Sequence, residues 1–438
     1  MGNIITAIRG TQDVLPAQSY RWQYIEKTLL ETAALFGYKE LRVPVFEQTN
    51  LFQRSVGDTT DVVQKEMYTF EDKGGRSITL RPEGTAGAVR CLLEHGLYNE
   101  ALPVKACYVL SCYRYEKPQA GRLREFHQFG VECFGAPNAA ADAEVIAVGH
   151  YAFKRLGVTG LQLEINSIGC PECRKKYLEV LRQYFDSHKD TLCETCQGRL
   201  ERNPMRILDC KSPICAEIAK DAPKMIDYIC DECKEHFNGV TSRLDAIGVP
   251  YVINPTIVRG LDYYPRTVFE FVSTQIGAQG TVCAGGRYDG LVEEMGGPSL
   301  PSLGFAMGLE RLLLLMDAQN LSFPDDRTPD LYVVPMGDAA AVATAKICQQ
   351  LREEGFVALT DLNGRGLKAQ MKYANKIGAS YTMVIGDDEL AQGKGNVKNM
   401  ATGVQTEISL ETLVEDFYKV TMEAAFDQME QSVENLGK

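Results

Sequence analysis

Arg114, Arg259 and Arg311 are the residues of this chain best suited to phosphate. The first lies in a β-rich run, the second precedes Gly260 in VRGLDYYPRTVFEF, and the third falls in the first turn of a helix. A guanidinium fork matches phosphate oxygens two at a time. Neither the GxxxxGK[ST] loop nor a GxGxxG after a first strand occurs, so nucleotide binding has to rest on these arginines. Any one of them alone is more often a solvated or salt-bridged surface residue. Beside Gly285, Gly286, Gly304 and Gly308, which permit close backbone approach, the set reads as a nucleotide site.

A second constellation is carboxylate and aromatic. In VKACYVLSCYRYE and EFHQFGVECFG, side chains two apart share a face, so Arg114 pairs with Glu116, and Phe126, Gln128 and Glu132 line up with Gly130 as a gap among them. An aromatic plate, an amide and a carboxylate around an empty position suit a cleft wall better than a core. Glu83 and Thr85, in SITLRPEGTAGAVRCLLEHG, stand where a strand turns into a helix.

The third constellation is made of thiols. Eight of the fourteen cysteines fall in CPEC, CETC, CKSPIC and CDEC: Cys170, Cys173, Cys193, Cys196, Cys210, Cys215, Cys230 and Cys233. Nineteen residues separate the first two pairs, the spacing of a tetrahedral zinc site, and eight thiolates suffice for two Zn2+ ions. The plain alternative is a reduced, metal-free set. Cys91, Cys107, Cys112, Cys133, Cys283 and Cys348 sit in apolar runs and read as core.

The elements that must position these groups follow from periodicity. SYRWQYIEKTLLETAALF, closed by Gly37, is an amphipathic helix, and ELRVPVFEQ reads as a strand. The two runs around KPQAGRLR form a long antiparallel hairpin. PSLGFAMGLERLLLLM is a glycine-containing strand feeding a helix. After the polar linker AQNLSFPDDRTPD, strands alternate with helices from LYVVPMG to YTMVIG, which describes a small α/β domain with parallel pairing. The tail from Glu411 is acidic and amphipathic.

Composition bounds the function. The chain has 438 residues, 45% of them apolar, enough for two or three domains, and its formal net charge of -12 excludes a global basic field for nucleic acid. A local basic patch stays open. The start MGNIITAIRG has no basic segment leading an apolar one, and no run approaches a membrane span, so a cytoplasmic protein is expected.

The motifs in order resemble the histidyl-tRNA synthetases of bacterial type, a class II aminoacyl-tRNA synthetase family, from IRGTQDVLP to about residue 420. RGLDYY and CAGGRYDGL are similar to the two histidine-specific signatures, YRYE with FHQFGVE to the second class signature, and GLER to the third. The resemblance implies an α+β catalytic domain on an antiparallel sheet (1–168 and 249–325), a helical, Cys-rich insertion (169–248), a C-terminal α/β anticodon-binding domain (329–420) and an acidic tail (421–438). It implies a ligase that activates L-histidine with ATP and Mg2+, passes the histidyl group to the 3′-terminal adenosine of tRNA(His), and works as a homodimer.

Carried over by position, Glu83, Thr85 and Gln128 hold the α-amino group, and Glu132 with Tyr263 and Tyr264 reads the imidazole. Arg114 and Arg259 flank the α-phosphate, Arg311 holds the γ end, Phe126 stacks on adenine and Glu116 meets its amino edge. A rival is a noncatalytic histidine-sensing paralogue that regulates an ATP phosphoribosyltransferase. The retained Arg259 and Arg311 and the C-terminal domain weigh against it. The bland readings are surface glutamates, packed tyrosines, a Thr85 that only caps its helix, and a Lys368, Lys372 and Lys376 stripe that is only solvated.

Overall fold

The computed structural model describes residues 4–56, 60, 62–208, 210, 212–257, 264–277, 280–324 and 328–436. The chain divides into two compact units, Met1–Phe323 and Pro324–Lys438.

In the first unit the described residues form an eight-stranded sheet. Its order is Lys39–Glu40, Val104–Tyr113, Glu125–Phe134, Ser302–Gly308, Thr281–Arg287, Thr267–Val272, Gln162–Ser167, Val252–Ile253. The two edge strands pair in parallel and all pairs between them are antiparallel. This is the antiparallel architecture of the class II synthetase type. Alternation along the strands divides the labour: Phe129, Val131 and Cys133, with Leu303, Phe305 and Met307, enter the apolar core. Gln128, Gly130 and Glu132, with Gly304, Ala306 and Gly308, take the other parity.

Helices cover the core face, among them Leu309–Ala318, which buries Leu309, Leu312, Leu315 and Met316. Pro16–Leu35 starts with proline at its first turn and buries Ile25, Leu29 and Ala33; Ala139–Arg155 buries Val145, Ile146 and Ala152; Asp231–Ala246 contributes Phe237, Val240 and Leu244. The cysteine-bearing segment is helical. Pro171–Asp186 buries Cys173, Tyr177, Leu181 and Phe185, one residue per turn, in a second core that also holds Tyr108, Tyr264 and Tyr288.

ELRVPVFEQ is not one strand. Lys39–Glu40 joins the large sheet, while Phe46–Gln48 joins a three-stranded sheet with Ser77–Leu80 and Thr69–Glu71. Pro44 cannot donate to a ladder, and the buried Arg81 takes the carbonyls of Val43 and Pro44 at 2.7 and 3.0 Å, which fixes the crossing.

The second unit is a five-stranded sheet ordered Ala358–Thr360, Leu331–Pro335, Tyr381–Ile385, Lys394–Asn399, Gln405–Ser409. The first three strands are parallel, as read from sequence; the last two are an antiparallel addition whose polar stretch carries little alternation. The acidic end is a helix, Leu413–Leu436, anchored by Phe417, which is fully buried against Phe356 and Tyr381.

One charge pair pins the first unit. Arg287, wholly buried, gives Nε to both oxygens of Asp142 at 2.9 and 3.0 Å and Nη2 to one of them at 2.7 Å. Removing one partner of such a pair strands the other charge without water. Asp142→Asn should therefore lower the unfolding free energy by about 3–5 kcal/mol in urea titrations. A loss below about 1 kcal/mol would put the pair outside the stabilising framework.

Candidate functional site: a carboxylate floor under a cationic cleft

Glu132 lies in the middle of Glu125–Phe134 with no exposed surface. Its Oε1 accepts hydrogen bonds from the hydroxyls of Thr85 at 2.7 Å and Tyr108 at 2.9 Å, and Oε2 accepts from the hydroxyl of Tyr288. The room for it is made across the ladder, where Gly304 pairs with it and a Cβ would fall on the carboxylate itself. Burial pushes the Glu132 carboxyl up to about 8, while the three hydroxyls pull the other way and Glu83 adds to the rise.

Glu83 sits at the start of helix Thr85–Glu94 and accepts the backbone N–H groups of Thr85 at 2.6 Å and Ala86 at 2.9 Å. Burial raises it too, against the help of those donors and of Arg114. Thr85 links the two carboxylates, its amide donating to one and its hydroxyl to the other, which leaves oxygen lone pairs on Thr85 for a cationic ligand.

Above this floor opens a cleft of about 330 Å³. Glu83, Thr85, Arg114, Glu116, Phe126, Gln128, Tyr264 and Arg311 all line it, and Glu132 touches it through Thr85 and Tyr288. Arg259 and Tyr263 lie outside the described residues. Arg114 donates Nε to the Pro82 carbonyl at 2.8 Å, with its guanidinium 5.2 Å from the centre of the Phe126 ring. Arg311, in the first turn of Leu309–Ala318, gives Nη1 to the Thr281 carbonyl at 2.7 Å. Burial, then the neighbouring Arg122 and Arg114, push its guanidinium down. Arg114, Arg122 and Arg311 thus bring three guanidiniums to one cleft, forks that match the oxygens of an anion.

Two expected placements need correction. The strand ends at Tyr113, so Arg114 and Glu116 belong to the connection beyond it, and Glu116 is buried and ion-paired with Arg122. The position opposite Tyr108, Gly130, is no gap in the cleft wall, because the Tyr108 ring occupies the space that Cβ atoms on Gly130 and Gly84 would need.

Sequence reasoning passed over Tyr288, Tyr108 and Glu310. Tyr288 stood inside the quoted CAGGRYDGL, and the pairing of Tyr108 with Gly130 follows from counting the hairpin, an aromatic covering a glycine across strands. Glu310 accepts the backbone N–H of His127 at 2.9 Å and lies 2.9 Å from its ring Nδ1, tying the helix of Arg311 to the strand of Phe126 and Gln128. Burial opposes charge on His127, but Glu310 outweighs it and the ring is raised overall.

The cysteines form two nested sets. Cys170, Cys173, Cys230 and Cys233 are one, and Cys193, Cys196, Cys210 and Cys215 the other, each with its sulfurs within 4.8 Å of one another. The first pair thus joins the fourth and not the second, because Cys170 and Cys230 each precede a helix, Pro171–Asp186 and Asp231–Ala246, that starts at the same spot. The donor set fits zinc. Sulfur separations of 3.5 Å for Cys170 and Cys173 and 3.8 Å for Cys193 and Cys210 match the edge of a tetrahedron with zinc–sulfur bonds of about 2.3 Å.

A family profile described as Histidyl-tRNA synthetase matches residues 10–175 and 216–312, and one described as Anticodon binding domain matches 330–419. The chain is 55% identical over 408 residues to the histidine–tRNA ligase of Acetivibrio thermocellus, covering 93% of this chain and 98% of that one. It is 54% identical over 407 residues to the histidine–tRNA ligase of Caldanaerobacter subterraneus, again covering 93% and 98%. Among solved structures, apo histidyl-tRNA synthetase of S. aureus superposes with a TM-score of 0.82 at 41% identity, covering 94% of this chain and 100% of that one.

The raised Glu132 carboxyl makes stability depend on pH. Its proton is held more tightly folded than unfolded, so its contribution is complete below about 4.5 and is lost as pH rises through about 8. Glu132→Gln should remove that slope. The unfolding free energy of the variant relative to the parent, in the absence of ligands, should climb by several kcal/mol between those pH values and then level off. A difference that is flat with pH would assign the proton elsewhere.

Proposed function

Because the chain belongs to the histidyl-tRNA synthetase family and is a histidine–tRNA ligase, we propose that the cleft above Glu132 is where histidine is joined to ATP and then handed to tRNA(His). The observation that carries this reading is the pairing of a buried, hydroxyl-bonded carboxylate with three guanidiniums across one cavity. The regulatory alternative has no such support, since the relatives are ligases along nearly their whole lengths.

In this reading Glu132, whose carboxyl is held by the Tyr288 hydroxyl, takes the imidazole together with Tyr263 and Tyr264 of LDYY. An amino acid whose side chain cannot donate to Glu132 leaves a buried carboxylate unmatched, and that penalty is the specificity. Glu83, Gln128 and the free lone pairs of Thr85 take the α-ammonium. The histidine carboxylate is then left facing the arginines.

Attack of that carboxylate on the α-phosphorus builds charge on the nonbridging oxygens and on the departing pyrophosphate. Arg114 and Arg259 meet the first, and Arg311 meets the γ end. Arg114 and Arg311 are already anchored by backbone carbonyls, so little reorganisation is needed. Phe126 offers adenine a flat surface, and Glu116 lines the cleft beside it for the amino edge. ATP enters as its Mg2+ complex, whose charge eases departure of pyrophosphate, and the Glu270 carboxylate on the cavity wall is a hard oxygen donor of the kind Mg2+ takes.

The C-terminal unit reads the tRNA, with Lys368, Lys372 and Lys376 exposed at intervals of four on helix Leu367–Lys376 for phosphate contact. A homodimer is supported by the exposed Phe46 and Phe70 on the outer strands of the small sheet. No described helix is long and apolar enough to cross a membrane. A cytoplasmic setting suits the thiols, which stay reduced there, and the two cysteine sets hold structural zinc.

Histidine-dependent exchange of labelled pyrophosphate into ATP separates the roles. Arg311→Ala and Arg259→Ala should keep the histidine dissociation constant within about threefold while adenylate formation slows roughly 100-fold or more. Glu132→Gln should weaken histidine binding by roughly 100-fold. Equal losses of binding and rate in the arginine variants would show that they hold histidine and not phosphate.

A further inference from the structure

We propose that the outer cysteine set, Cys170, Cys173, Cys230 and Cys233, is a structural zinc site that positions the Tyr264–Arg266 segment and thereby sets the affinity for histidine. The inner set, by contrast, only closes its own loop. The inference rests on the reading of the cleft as the histidine pocket.

The outer set is built for thiolates. Cys170 and Cys230 stand at the N-caps of two helices and Cys173 and Cys233 in their first turns, where the helix field favours anionic sulfur. The backbone N–H of Cys230 donates to the Cys173 sulfur at 3.0 Å, the kind of support that metal-bound thiolates receive.

Residues beside three of these cysteines grip the pocket segment. Arg174, next to Cys173, donates to the carbonyl of Tyr264. Gly169, next to Cys170, accepts the Arg266 amide at 2.8 Å, and Ile168 donates back to the Arg266 carbonyl at 2.8 Å. Glu232, next to Cys233, pairs with the Arg266 guanidinium at 2.5 Å. Arg266 is held at a φ of +54°, a conformation costly for an arginine that persists only where surrounding contacts impose it. Those contacts come from the residues beside the tetrad.

A second link runs from the same helix to the carboxylate. His236, three residues after Cys233, lies 3.2 Å from Asp142, which holds Arg287, and Arg287 precedes the Tyr288 that donates to Glu132. Among the described residues, the hydrogen bonds of the inner cysteines stay within the insertion. Cys193 donates its amide to the Cys215 sulfur at 3.3 Å and approaches the Cys210 sulfur, all within the insertion.

Metal analysis and kinetics on the full chain test this. The parent should carry two zinc ions per chain, and Cys230→Ser/Cys233→Ser and Cys210→Ser/Cys215→Ser one each. In pyrophosphate exchange the outer variant should raise KM for histidine roughly tenfold with KM for ATP within about twofold, and the inner variant should leave both unchanged. A metal-free parent, an oxidised parent with disulfides in place of metal, or an outer variant that loses zinc without changing KM for histidine would overturn the proposal. If the outer variant does not fold, Glu232→Gln and Arg266→Met should keep both ions and still raise KM for histidine; an unchanged KM sinks the linkage. Glu132→Gln run in parallel distinguishes the two readings: if it leaves KM for histidine untouched, the pocket assignment has failed, and if it raises KM while the outer variant does not, only the zinc coupling has.

Discussion

A carboxylate without water is the constraint around which the first unit is arranged. Glu132 has no exposed surface, and burying its carboxyl is so costly that the proton is held more tightly even with three donors in place of the solvent. Those donors arrive from three separate elements: Thr85 from a helix start, Tyr108 from the neighbouring strand, and Tyr288 from the turn after Thr281–Arg287. The glycines are the geometric counterpart. Gly304 leaves room for the carboxyl, and Gly130 and Gly84 leave room for the ring of Tyr108. The missing side chains make room for the carboxylate and for one of the rings that donates to it.

The opposite pole is cationic, and its charge is local. A chain of net charge -12 gathers Arg114, Arg122 and Arg311 on the walls of one cavity. Glu310 keeps that pole in register with the floor, because it fastens the helix bearing Arg311 to the backbone of the strand bearing Glu132. Glu132 and the helix of Arg311 are thus tied to one pair of adjacent strands, Glu125–Phe134 and Ser302–Gly308.

Much of this was legible in the letters, and the misses have physical causes. Helix Pro16–Leu35, the long hairpin and the turn into Thr85–Glu94 follow from strong periodicity and clear end signals. Arg114 and Glu116 were placed one element too early because strand alternation says nothing of where a ladder stops. Gly130 was read as a cleft because a single strand does not reveal which ring its neighbour brings. ELRVPVFEQ divides at Pro44 for the sake of Arg81, a long-range demand that no local pattern carries. The eight cysteines do gather into two sets of four, yet proximity in sequence paired the wrong doublets, since two helices starting side by side bring the first and last together.

The nesting of those thiols has a bearing on how the chain assembles. Closing a short loop costs less conformational entropy than closing a long one, and the inner four fall within Cys193–Cys215 while the outer four span Cys170–Cys233. Synthesis runs from the N-terminus, so the inner quartet is complete while the outer one still lacks half its members. Like a parenthesis closed inside a parenthesis, the arrangement lets each quartet finish without borrowing from the other.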